Sequence, residues 1–138
     1  MRVLGLDVGT RRIGVAVSDP LGISAQRLTT IERYDVASAV NAVAALVSQH
    51  QVETIVVGLP LTMKGEQGRQ AALVKAFIDS LRQAVPCPVQ VMDERLTTAQ
   101  GEQALLTMDT SRRRRKQLID QVAAQLILQA YLDATAKR

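Results

Sequence analysis

The sequence predicts an α/β domain with a five-stranded mixed sheet, a three-strand antiparallel meander plus two parallel strands, and helices on both faces. Two observations predict it. Three strand-like runs come first, separated only by turn residues, which is the pattern of an antiparallel meander. Helical and strand patterns then alternate, and right-handed crossovers of that kind add parallel strands to the sheet. The 138 residues contain no repeat or linker and suit a single domain over 1–138.

Each element has its own signal. Arg2 to Val8 is an apolar strand, Gly9-Thr10-Arg11-Arg12 a turn, and Ile13 to Ser18 a second strand. Asp19-Pro20-Leu21-Gly22 reads as a loop, followed by a third strand from Gln26 to Ile31. Asp35 is placed to cap a helix whose apolar stripe is Val36, Val40, Val43, Ala44 and Val47. The β-branched run Thr54 to Val57 has the composition of a central buried strand and ends at Gly58-Leu59-Pro60. A loop with Gly65 and Gly68 precedes a helix from Arg69 to Ala84, carrying Ala72, Val74, Phe77, Ile78 and Leu81 and stopped by Pro86 and Pro88. Val89 to Met92 is the fifth strand. Thr97 and Gln100 have capping-box spacing for a short helix through Leu106. Asp109 to Arg115 is expected to be a mobile connection. Lys116 to Ala136 forms the last helix, with a stripe of Ile119, Val122, Ala123, Leu126, Ile127 and Ala130.

Composition excludes several classes of function. With two Tyr, one Phe and no Trp, aromatic stacking platforms for nucleic acid are poorly supported, leaving cations and backbone contacts to bind it. The lone Cys87 rules out an intramolecular disulfide and a zinc site built on several cysteines. No apolar run is long enough to span a bilayer and no signal peptide precedes the first strand, so a cytoplasmic location is expected. The charge is uneven. Residues 1–108 carry ten Lys or Arg against ten Asp or Glu, so the net +4 lies in residues 109–138, mostly in Arg112 to Lys116. Such a run is either a solvated segment or a salt-sensitive patch that attracts phosphate.

Three carboxylates stand out. Asp7 sits in an apolar strand, where a charge is costly unless paired, hydrogen-bonded or bound to metal. Glu94 follows the last strand, and Asp120 lies at the edge of the last helix's apolar stripe. Functional groups in open sheets collect at the carboxyl ends of strands, where Asp7 and Glu94 both fall. Three converging carboxylates need cations between them, and oxygen-only ligands suit Mg²⁺ or Mn²⁺. Two such ions activate a water and stabilise the leaving oxygen in phosphodiester hydrolysis. Each acid also has a purely structural explanation. The amides of the Gly9-Thr10 turn would satisfy Asp7, Arg95 or another cation near the helix start would pair with Glu94, and the helix macrodipole would favour Asp120 as a first-turn acid. Asp93 faces away from Glu94 by strand alternation, and His50 is expected at the surface.

Four blocks carry a family resemblance. They are Gly5-Leu6-Asp7-Val8-Gly9-Thr10 with Arg12-Ile13-Gly14-Val15-Ala16; Val57-Gly58-Leu59-Pro60-Leu61 with Met63 and Gly65; Asp93-Glu94-Arg95-Leu96-Thr97-Thr98; and Asp120 with Ala123-Ala124 and Ile127-Leu128. Together they resemble the YqgF/RuvX family of the ribonuclease H-like superfamily over essentially the whole chain. The resemblance implies a ribonuclease H-like fold. It also implies a nuclease, described either as processing the 5′ end of pre-16S rRNA or as a Holliday-junction resolvase homologue. By position, the family's acidic residues fall on Asp7, Glu94 and Asp120.

Under the nuclease reading, Asp7, Glu94 and Asp120 hold the metal ions and carry catalysis. Thr10, Lys64, Arg95, Arg112, Arg113, Arg114 and Arg115 are candidate substrate contacts. Gly58 and Gly65 are candidates too, as glycines that let a loop backbone approach nucleic acid closely. Two other classes stay open. Asp-x-Gly-Thr followed by Gly14 also occurs in the phosphate hairpins of actin- and hexokinase-type proteins, although those enclose ATP between two lobes. A non-enzymatic RNA- or ribosome-associated factor is the other. RNA against DNA, and monomer against homodimer, are equally open.

Overall fold

Apolar residues on alternating sides of the first strands leave two faces to cover, and helices cover both. The computed structural model describes residues 2–60, 68–94 and 112–136, excluding the side chains of 112–117. Its strands are β1 (Arg2–Val8), β2 (Arg12–Ser18), β3 (Ala25–Glu32), β4 (Val52–Leu59) and β5 (Val89–Asp93). Its helices, among the described residues, are α1 (Val36–His50), α2 (Arg69–Ala84) and α3 (Arg112–Ala136). The strands form one sheet in the order β3-β2-β1-β4-β5. β1–β2 and β2–β3 are antiparallel, while β1–β4 and β4–β5 are parallel, which is the mixed topology the sequence predicts. The expected short helix from Thr97 to Leu106 lies outside the described residues.

One face of the sheet is large and apolar. Leu4, Leu6, Val8, Ile13, Val15, Val17, Ile55, Val57 and Leu59 pack there against α1 and α2, with Phe77 and Leu81 fully buried. Asp35 caps α1 as expected, its carboxylate accepting from the Ser38 amide at 2.7 Å. The opposite face is built from small residues. Val3, Ala16 and Val56 meet Ala124, Ile127, Leu128 and Leu132 of α3. A Cβ on Gly5 would lie 2.7 Å from Leu128 Cβ and 3.0 Å from the Ala124 carbonyl oxygen. Gly5 has no positive φ, so its use here is space for a closely approaching helix, not backbone freedom.

α3 differs from the expectation in two ways. It begins at Arg112, so the basic run forms its first turns instead of a mobile connection. Arginine is a good helix former, and no Gly or Pro interrupts the run. The helix is also rotated. Its buried line is Ala124, Leu128 and Leu132, with Val122 and Ile127 beside it, whereas Ile119 is 41% exposed. The small-residue groove on the sheet, not the average apolarity of the helix, sets that rotation. A ladder of glutamines fixes it. Gln121 Nε2 donates to Thr30 Oγ1 at 3.0 Å and Gln125 Nε2 to the Ala25 carbonyl at 3.0 Å. Gln129 Oε1 accepts from the Ala25 amide at 2.9 Å, so edge strand β3 is tied to α3 along its length.

Candidate active site

Asp7 is the next-to-last residue of β1 and shares a face with Val3 and Gly5, so it points to the α3 side. Both neighbouring strands present glycine beside it. Gly14 of β2 is its direct partner, and continuing the Leu6–Val57 register by one residue puts Gly58 of β4 on its other flank. Side chains from elsewhere fill the space these glycines leave. A Cβ on Gly58 would meet Ile127 Cδ1 and lie 3.0 Å from Glu94 Cγ. A Cβ on Gly14 would fall on the Asp120 carbonyl group. The two glycines thus let Glu94 and Asp120 close over the strands on either side of Asp7. Gly58, expected in a loop, lies inside β4, where its missing side chain makes room for Ile127 and Glu94.

Glu94 hydrogen-bonds to Asp7 across the width of β4. Burial, then that hydrogen bond, then the charge of Glu94 push the Asp7 carboxyl up from 3.8 to about 9. Without a cation, Asp7 therefore keeps its proton at neutral pH and donates it to Glu94. Of the turn amides expected as a structural alternative, that of Gly9 is engaged elsewhere, donating to the Arg12 carbonyl at 2.9 Å.

Asp120 belongs to the same neighbourhood but is held differently. It continues the buried line of Ala124, Leu128 and Leu132 one turn towards the start of α3. It lies in the third turn of a helix whose first turn has no acid, so the macrodipole does not account for it. Burial raises its carboxyl above the ordinary value, Arg12 offsets part of that rise, and the neighbouring acids Asp7 and Glu32 add to it. Arg12 Nε donates to Asp120 Oδ2 at 2.9 Å. Sequence reasoning missed this pair, since 108 residues separate the two and nothing local announces it. Among the described residues, no three acidic, His or Cys side chains already lie together as ion ligands.

Arg12→Gln removes the counter-charge seen on Asp120 among the described residues and is expected to lower the metal-free stability by about 1 kcal/mol at pH 7, a modest value because both groups are partly solvated. The loss requires an ionised Asp120, whose carboxyl is raised above the ordinary value, so thermal melts of parent and variant should converge as acidification protonates it. Equal melts at pH 7 would show that the pair contributes nothing.

The turn between β1 and β2 is braced from β3. The Arg33 amide donates to the Arg11 carbonyl at 2.8 Å, and its guanidinium donates to the Gly9 carbonyl at 3.0 Å while lying 5.7 Å from the centre of the Phe77 ring. Thr10 is exposed at the tip of this turn, and Gly9, Thr10, Arg11, Arg12 and Asp120 line a hollow of about 200 Å³. Of the other expected substrate contacts, Lys64, Gly65 and Arg95 lie outside the described residues. Arg112, Arg113, Arg114 and Arg115 open α3, but nothing is described of their side chains.

The RuvX family model, described as Holliday junction resolvase, matches residues 1–134. The chain belongs to the RuvX family. A relative from Moorella thermoacetica is 56% identical over 133 residues, covering 96% of this chain and 95% of its own length. One from Myxococcus xanthus is 48% identical over 134 residues, covering 97% and 89%. Both carry the name "Putative pre-16S rRNA nuclease". Among solved structures, T. thermophilus RuvC in complex with Holliday junction substrate matches with a TM-score of 0.63 at 16% identity, covering 99% of this chain and 96% of that one. That likeness fixes the ribonuclease H-like fold. The family and the named relatives are nucleases, hydrolases of phosphodiester bonds. Among the described residues, no helix is long and apolar enough to cross a membrane.

Proposed function

We propose that this single-domain chain is a divalent-metal-dependent nuclease that trims the 5′ end of pre-16S rRNA in the cytoplasm. The observation that carries the reading is the partly buried, hydrogen-bonded Asp7–Glu94 pair, with Asp120 within electrostatic reach. Two apposed carboxylates that must share a proton when no cation is present fit a hard divalent ion, and their donors are all oxygen. Asp7, Glu94 and Asp120 would hold Mg²⁺ or Mn²⁺, which when bound supplies an activated water and neutralises the leaving oxygen. The rest of the work falls to the chain. Gly14 and Gly58 let the acids close together, Ile127 and the small face beneath α3 keep bulk water from the inner side, and Arg12 orients Asp120. Thr10 at the turn, with Lys64, Arg95 and the Arg112–Arg115 run, would bind substrate phosphates, arginine by its planar fork.

Cleavage of three substrates with Mg²⁺ or Mn²⁺ tests the reading: an rRNA precursor with an extended 5′ end, single-stranded DNA and a four-way DNA junction. Shortening of the precursor with little action on the junction is expected. Symmetric cutting of the junction with the RNA left intact would favour the resolvase reading that the family's description supports.

A further inference from the structure

The Thr10 turn separates two hollows. One contains Arg12 and Asp120; the other, of about 240 Å³, is lined by Thr10, Arg33, Tyr34, Asp35, Val36 and Leu73 on the α1–α2 side. The second hollow plays no part in the chemistry described above. Its surface is unusual for this chain. Tyr34 is 85% exposed, and Val36 and Leu73 are 40% and 45% exposed. The other aromatic residues are hidden to different degrees, Phe77 fully and Tyr131 partly. A chain with so few aromatic residues thus presents one of them to solvent at the catalytic end of the sheet.

We propose that this hollow binds an unpaired nucleobase of the substrate strand, stacked on Tyr34, beside the phosphate held at the acidic site. The proposal rests on the nuclease reading and names a subsite for it. Continuity supports it. Thr10 borders both hollows and follows Asp7 by three residues, so their Cα atoms lie within about 11 Å, the reach of a neighbouring nucleotide. Chemistry selects a base over a phosphate. Asp35 repels phosphate, although its carboxylate is engaged in capping α1, and Arg33 is committed to the Gly9 carbonyl and the Phe77 face. What remains is an apolar floor and one aromatic ring, which suits a π-face. Arg11, exposed on the turn, supplies the positive charge that a backbone crossing from one hollow to the other requires, while Arg12 is held by Asp120. Stacking tolerates any base, so the subsite selects unpaired over paired nucleotides and not sequence.

The test is a binding cycle in an Asp7→Asn background, which prevents cleavage, with fluorescent single-stranded RNA and Mg²⁺. Tyr34→Ala should weaken binding roughly 5- to 100-fold, Tyr34→Phe should leave it within about two-fold, and affinity for a fully paired duplex should not change. One abasic position in the RNA should weaken binding to the Tyr34 protein by a similar factor and have no further effect on Tyr34→Ala. If Tyr34→Ala binds single strands as tightly as its background, or no abasic position couples to it, the subsite is wrong while the nuclease reading stands. If the unsubstituted protein neither binds nor cuts RNA or DNA, both readings fall together.

Discussion

Asp7→Asn should abolish cleavage, a loss of roughly 10³-fold or more, and at the same time make the metal-free protein more stable at pH 8. Both effects come from the same carboxylate. In the folded chain its proton is held up to about 9, whereas in the unfolded chain it is lost near 3.8. Folding therefore takes up a proton between those values, and stability falls as pH rises through that window. Asparagine reproduces the protonated acid, including a donor towards Glu94, and carries no titration. The variant should gain about 1–3 kcal/mol over the metal-free parent at pH 8, a rise of several degrees in melting temperature, and the gap should close near pH 4. A parent that melts above the variant at pH 8 without metal would mean that the acid is satisfied by something other than a cation or a proton.

Gly14→Ala should lower stability by about 3 kcal/mol, near 10 °C in melting temperature, and remove activity as well. The new Cβ would occupy the position of the Asp120 carbonyl and lie 2.9 Å from Asp120 Cβ. The obstacle is helix backbone, which no rotamer change relieves. α3 must lift from β2, drawing Asp120 away from Asp7 and straining the glutamine ladder to β3. Gly14 has no positive φ, so the effect is purely one of space. A melting temperature within about 2 °C of the parent would show that α3 does not approach the sheet as closely as described.

Much of this architecture is legible in the sequence, for identifiable reasons. The apolar runs of β1, β2 and β4 and the Asp35 cap of α1 are local signals, and they fall where expected. So does the placement of Asp7 and Glu94 at strand ends, because the sheet brings those ends together whatever the loops do. The rotation of α3 was not legible. Ile119 looks like a core residue by spacing, but the position of the helix is decided by Gly5, Gly14 and Gly58 on three different strands. The Arg12–Asp120 pair escaped for the same reason, being purely tertiary. Gly58 was visible as special, yet its purpose depends on Glu94 and Ile127, far off in sequence. Tyr34 carried no signal beyond the scarcity of aromatic residues, and its importance emerged only from its exposure beside the turn.

The central claim is that these acids are built to hold a divalent cation. Calorimetric titration of Mn²⁺ into metal-free protein at pH 8, repeated in buffers of different ionisation enthalpy, tests it most directly. The parent should bind and release about one proton, the one Asp7 holds, while Asp7→Asn should bind far more weakly and release none, and Glu94→Gln should also bind far more weakly. Binding by Asp7→Asn as tight as the parent's, or no binding by the parent at all, would contradict the account.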